Sequence, residues 1–259
     1  MAGTRASAHG RILFWEGASL WILQAPPGQQ YPRTDFHSHH AVQITIALTG
    51  RVDFDGDGGP IAGDAIAIAP DSRHSFAGTG LVAMLFVAPD GVAGRRLAQR
   101  FFASGPFATI AAANLGDVPA RLRAAFDAKR RTDEQLRVLG KELLARLVGD
   151  GGGSPTADAR IAKVIRFSEA RLAEPLSLRD VAPVVGLSPG RTRHLFVEQT
   201  GLPFRTYLLW LRLWRAVELF ADGASLTEAA HGAGFADSAH LSRTFRRMFG
   251  VVAASLRVS

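Results

Sequence analysis

The chain has 259 residues, 47% hydrophobic and 20% charged, which is enough for two modest cores and excludes extended disorder. It has no cysteine, which excludes a disulfide framework and thiolate chemistry and fits a reducing compartment. The formal net charge of +7 is uneven: residues 156–259 hold 14 Lys and Arg against 9 Asp and Glu, residues 1–155 hold 16 against 14, and such an arginine-rich excess points to nucleic acid.

The stretch up to Gln24 is apolar in places, but Glu16 and Gly17 break it. It is too short and too interrupted for a signal segment or a membrane span, so a cytoplasmic protein with no membrane partner is expected. Arg11–Trp15 and Leu20–Gln24 read as strands, followed by a Pro-Pro-Gly break at 26–28. Val42–Leu48 alternates apolar with small or polar residues and ends before Gly50. Asp55-Gly56-Asp57-Gly58-Gly59 is a hairpin turn that pairs Val52–Phe54 with Ile61–Ala62, and Ala65–Ala69 and Leu81–Val87 complete the series. Short strands at regular spacing, separated by Gly, Pro and Asp, indicate a sandwich or small barrel.

Around Gly91 the pattern becomes helical, beginning with Leu97, Phe101 and Phe102. Arg121–Arg131 and Thr132–Val148 read as helices. The second carries Leu136, Leu139, Leu143 and Leu147 on one stripe, which either covers the barrel or pairs with a second copy. The run from Gly149 to Pro155 is a linker. Beyond it everything is helical: Asp158–Ala173, Leu176–Val185 behind the N-cap Ser177, Ser188–Thr200 closed by Gly201, and Pro203–Ala221.

Ser225–Gly250 reads as a short helix, a turn at Gly234 and a second helix. Ser225 caps the first, which buries Leu226, Ala229 and Ala230; Asp237 or Ser238 caps the second. Leu241, Phe245 and Phe249 face inward at four-residue spacing, leaving Arg243, Arg246 and Arg247 outward. Glycine turn plus arginine-bearing helix is the form that enters a DNA major groove. Ala182 and Gly186 precede Ala230 and Gly234 by 48 residues, so the motif occurs twice, joined by one long helix. A rigid connector places both reading helices on one face of the duplex, about one turn (~34 Å) apart.

These residues resemble the DNA-binding domain of the AraC/XylS family of bacterial transcription regulators. The resemblance rests on Arg212-Leu213 with Ala216, on the turn from Gly234 to Asp237, and on Ser242 to Arg247 before Phe249-Gly250. Thr192 and His194 replace the usual leucine and arginine of the first reading helix, and Ala253 and Leu256 replace the usual proline and aromatic before Arg257. The resemblance implies that Arg191, Arg193 and His194 face DNA from the first reading helix, and Ser238, Ala239, Ser242 and Arg243 from the second. Arginine suits bidentate pairing with guanine, Ala239 a thymine methyl, and Arg246 and Arg247 the phosphates. The implied partners are promoter DNA and a small-molecule effector, with RNA polymerase and a second copy of the chain as further candidates.

His37-x-His39, Gln43 and Gly50 resemble the first cupin motif, with Gln in place of the usual Glu; Gly63, Pro70 and His74 resemble the second. Three imidazoles and an amide oxygen can hold a divalent transition metal, or they line a metal-free effector pocket. His40, next to His39, is expected on the surface. The expected fold is α+β and multidomain: a cupin-like barrel over residues 1–90, a helical connector over 91–148, a linker over 149–157, and over 158–259 an all-α DNA-binding domain with helix-turn-helix motifs near 176–201 and 225–250. A transcription regulator rather than an enzyme is expected. The rival is a cupin-type metal-dependent enzyme of small molecules with an accessory DNA-binding domain.

Overall fold

A computed structural model describes residues 8–61, 63–130, 132–149 and 158–258. Most of the linker, Ala62 at the end of one expected strand and Arg131 at the end of one expected helix lie outside the described residues. The chain forms two compact units: Met1–Gly153 together with Phe245–Ser259, and Ser154–Thr244. The helical unit therefore stops short of the expected 158–259 span, because the last residues pack with the strands.

In the barrel unit, β1 (Ala8–Trp15) and β2 (Ala18–Gln24) form a hairpin closed by Glu16-Gly17, where Gly17 takes φ +73°. There follow β3 (Gln30–Tyr31), β4 (Val42–Ala47), β5 (Arg51–Gly56), β6 (Gly59–Ile61), β7 (Ala65–Ile68), β8 (His74–Thr79) and β9 (Leu81–Val87). Next come α1 (Val92–Phe101), β10 (Phe107–Thr109), α2 (Ala112–Leu115), α3 (Val118–Asp127) and α4 (Asp133–Val148). One sheet has the order β10-β7-β4-β9-β2-β1-β11, its last strand β11 being Leu256–Val258 from the C-terminus; the other has the order β3-β8-β5-β6. The Asp-Gly turn pairs Phe54 with Ile61 as expected. Among the described residues the strand pairings are antiparallel except that of β1 with β11, which run parallel from Ala8↔Leu256 to Gly10↔Val258.

The leucine stripe of α4 covers the barrel. Leu136, Leu143 and Leu147 have no exposed surface, and a Cβ on Gly140 would lie 2.8 Å from the Trp15 ring, so the helix lies directly on the β1–β2 hairpin. Thr132 caps it by accepting from the Gln135 N–H at 3.2 Å.

The helical unit contains α5 (Ala159–Glu169), α6 (Leu178–Val181), α7 (Pro189–Thr200), α8 (Phe204–Ala221), α9 (Leu226–Gly232) and the start of α10 (Ser238–Phe249). Its core holds Ile161, Val164, Val181, Phe196, Phe204, Tyr207 and Leu208, with Phe196 edge-on to both Phe204 and Tyr207. Two helices are shorter than expected. α5 ends at Glu169 rather than Ala173, and the turn that follows is held by Arg212, which donates to the Leu172 carbonyl at 2.9 Å and the Glu174 carbonyl at 2.7 Å. The expected helix Leu176–Val185 is a single turn, α6, followed by a 3-10 turn at Pro183–Val185, because Pro183 has no N–H for an α-helical bond.

Candidate nucleic-acid interface and barrel pocket

The two helix-turn-helix motifs are built on matching local chemistry. Ser225 Oγ accepts from the Glu228 N–H at 3.2 Å, and the Glu228 carboxylate accepts from the Ser225 N–H at 2.8 Å. Ser177 and Asp180 form the equivalent box on α6. Both carboxyls are held below their usual range, chiefly by the hydrogen bond from the serine side chain. The turn glycines Gly186 and Gly234 both have positive φ, +65° and +80°. Gly234 also permits a close approach: a Cβ there would lie 2.2 Å from the Leu172 carbonyl oxygen, whereas Gly186 faces open space. Asp237 is the cap of α10, accepting from the His240 N–H at 2.6 Å. Ser188 caps α7 with Pro189 at its first position.

These caps fix which side chains point out. On α7, Arg191, Arg193 and His194 are exposed, and Thr192 is buried with its hydroxyl donating to the Ser188 carbonyl at 3.0 Å. On α10, Ala239, Arg243, Arg246 and Arg247 are exposed, Ser238 and Ser242 are half-buried, and Leu241, Phe245 and Phe249 are buried. Arg246 has a partner that sequence reasoning missed: its Nε donates to Asp35 Oδ2 at 2.8 Å, a residue 211 positions away. No local signal marks such a pair.

In the barrel unit, His37, His39 and His74 converge, each offering a nitrogen within 4.8 Å of the others. His37 bridges His74 through paired main-chain hydrogen bonds of 2.9 Å. Nδ1 of His37 lies 2.8 Å from the Asp35 carbonyl and Nδ1 of His74 lies 2.9 Å from the Ser72 carbonyl, so both rings donate there and keep the Nε2 lone pair. Nε2 of His74 is buried without a hydrogen-bond partner. His39 Nε2 donates to Gln43 Oε1 at 2.7 Å, and Gln43 Nε2 donates to Thr45 Oγ1 at 2.8 Å. Gln43 therefore orients His39. His40 is also buried, not on the surface, and is bonded through Nδ1 to Asp71 at 2.8 Å; residues 37–41 do not form a strand, so alternation does not set its direction.

Burial drives all three imidazoles toward the neutral form: His37 below its usual range, His39 to about 3 and His74 to about 2, with neighbouring imidazoles adding to the effect for the last two. His37 and His74, neutral with Nδ1–H fixed by carbonyls, keep Nε2 as donor atom, and His39, neutral with Nε2–H fixed by Gln43, keeps Nδ1. Neutral, oriented rings are what a divalent transition metal requires, so the donor chemistry fits such an ion on His37, His39 and His74. His37 and Gln43 also line a 70 Å³ cavity between the two sheets, walled mostly by Trp21, Tyr31, Phe76, Met84, Phe86 and Phe249.

Comparison with known proteins identifies the helical part. A helix-turn-helix domain family matches residues 181–258. The HTH-type transcriptional activator RhaS of Klebsiella pneumoniae is 27% identical over 93% of both chains. RhaS of Escherichia fergusonii is 41% identical over 100 residues, which is 38% of this chain and 36% of that protein. Among solved structures, ToxT of Vibrio cholerae superposes over 93% of this chain and 96% of its own, with a TM-score of 0.57 at 12% identity. ToxT has also been solved with an unsaturated fatty acid bound, at a TM-score of 0.55. The likeness to ToxT shows a shared fold: an N-terminal β domain and a C-terminal helical one. Among the described residues, no helix is long and apolar enough to cross a membrane.

Proposed function

We propose that the chain is an AraC-type transcription regulator that binds DNA through its helix-turn-helix domain, that α7 and α10 read promoter sequence, and that the barrel cavity holds a small-molecule effector which controls them. The observation that carries this reading is the doubled motif: two capped, glycine-turned helix pairs on either side of the 18-residue α8, each presenting arginine outward. Arg191, Arg193 and His194 on α7, and Ser238, Ala239, Ser242 and Arg243 on α10, are assigned to base edges; Arg246 and Arg247 are assigned to phosphates. Acting on DNA, the protein works in the cytoplasm, with RNA polymerase and a second copy of the chain as candidate partners.

The fatty acid bound to ToxT supports a small-molecule ligand for the barrel of this chain. The effector acts by binding one conformation of the regulator better than another, since equal affinity for both shifts nothing. Genome-wide capture of DNA fragments with the purified protein, followed by footprinting, tests the reading. Discrete protected sites are expected, and protection no stronger at any promoter than on random DNA refutes it. The histidine cluster favours a second, narrower reading, in which a divalent transition metal sits on His37, His39 and His74. One equivalent of zinc or cobalt retained after dialysis by the wild type, and lost in His74→Ala, is its signature; no retained metal refutes it.

A further inference from the structure

Resting on the reading of the barrel as the effector domain, we propose that the cavity takes an uncharged, largely apolar molecule of at least ring size, and that its entry lifts the C-terminal segment Phe249–Leu256 off the barrel and releases Arg246 from Asp35. The ligand class follows from the walls. Among the described residues no Lys, Arg, Asp or Glu lines the cavity, and the polar groups there are neutral ones such as Thr34, Gln43 and Ser255. A carboxylate, phosphate or ammonium would be buried there without a counter-charge.

The need for movement follows from size. The cavity measures 70 Å³ with every wall in place, less than half of the roughly 150 Å³ at which an apolar cavity accepts benzene. Trp21, Leu23, Gln43, Phe76, Met84 and Phe86 belong to the ladders of β2, β4, β8 and β9, whereas Phe249, Val251 and Ser255 lie outside every strand and Leu256 lies in the three-residue β11. That segment is held by three parallel pairings of β11 with β1, by the Asp35 N–H donating to the Gly250 carbonyl at 2.9 Å, and by Phe249 against Trp21 at 5.0 Å between ring centroids. The ion pair beside it, Arg246 with Asp35, has both side chains more than half exposed (60% and 58%), and such pairs hold weakly. It is a wall that no long ladder holds.

The wall is also part of a reading helix. Arg246 and Phe249 lie one turn apart on the continuous α10, so displacing Phe249 carries Arg246 away from Asp35. While seated, the Asp35 carboxylate occupies the guanidinium that is assigned to a DNA phosphate. An effector that opens the wall frees that cation.

The absence of cysteine gives a direct test. His9 and Arg257 are registered neighbours of β1 and β11, both exposed, at a strand spacing that a disulfide spans. The full chain carrying His9→Cys and Arg257→Cys is titrated, oxidised and reduced, with the uncharged dye N-phenyl-1-naphthylamine and with the anionic 8-anilinonaphthalene-1-sulfonate. The reduced form is expected to bind the uncharged dye at least about tenfold more tightly than the oxidised form and than the anionic dye. The dye should raise affinity for duplex DNA in the reduced protein alone. Asp35→Asn should raise it without dye, by up to about fivefold, the reach of an exposed ion pair. Equal dye binding by both redox forms, preference for the anion, or no dye binding overturns the proposal. Footprinting without dye reports the regulator reading separately: loss of footprints with redox-gated dye binding refutes the regulator and leaves the gate standing.

Discussion

The buried histidines make a quantitative claim about acid stability. In the fold, His39 and His74 remain neutral down to about 3 and about 2, while in the unfolded chain each takes a proton near the ordinary value of ~6.5. Below that value the unfolded state binds more protons than the native state, so stability falls as pH falls from ~6.5 toward the two folded values. At pH 5 the loss depends only on the unfolded value, because neither folded group has begun to titrate; it is about 2 kcal/mol for each ring and about 4 kcal/mol for the pair. Set against a typical stability of ~5–15 kcal/mol, that is a large share. Urea unfolding of the metal-free protein in chelator, followed at pH 7.5, 6.0 and 5.0, measures it. The His74→Gln variant serves as the reference, and its pH-dependent loss should be smaller than that of the wild type by about 2 kcal/mol at pH 5. Wild type and variant losing stability equally would refute the assignment of His74 as a neutral, proton-refusing group.

The DNA assignments separate by salt and sequence. Arg243→Ala should cost about 1–3 kcal/mol on a specific site and little on random duplex, whereas Arg247→Ala should weaken both alike and lower the salt slope by about one unit, read by anisotropy at several salt concentrations. Ser225→Ala should cost about 1 kcal/mol by removing the cap of α9, measured by thermal unfolding. Gly234→Ala adds a Cβ 2.2 Å from the Leu172 carbonyl at φ +80° and should destabilise more than Gly186→Ala, where the backbone strain is similar but the space is open, again by thermal unfolding. Gly250→Ala should push the C-terminal segment off the barrel, since its Cβ would lie 2.4 Å from the Asp35 carbonyl oxygen; faster hydrogen exchange at β11 is the readout.

The helical unit was legible because its signals are local. A capping Ser or Asp, a turn glycine and an apolar stripe each act within a few residues, and they placed α7, α9 and α10 together with the outward arginines. The strands were only partly legible. β8 is interrupted by Gly78 and lacks clean alternation, while β3, β10 and β11 have two or three residues each, too short for any period. The site residues His37 and His74 are 37 positions apart and meet through a single main-chain bridge that no periodicity announces. Gln43 occupies the expected place, but which of its atoms is engaged depends on the His39 tautomer and on Thr45, and residue types do not record that. The pairing of β11 with β1, like that of Arg246 with Asp35, joins opposite ends of the sequence.

The two reading motifs are not mechanical equals. α6 is one turn followed by a break at Pro183, and a Cβ on Gly186 would meet nothing within 4 Å. α9 has seven residues, and the Gly234 turn lies against the carbonyl of Leu172, in the turn whose Leu172 and Glu174 carbonyls Arg212 binds. A reading helix discriminates between bases only as well as its own position is held, since an error near 1 Å loses a bidentate pair. On the DNA assignment proposed above, α10 should therefore carry most of the base discrimination, and α7, with His194 in the place of the usual arginine, should contribute mainly affinity. α10 is also the helix whose last turn helps close the barrel cavity. Control applied there acts on the more selective of the two contacts, so a modest shift in the seating of one helix is enough to move occupancy at a promoter.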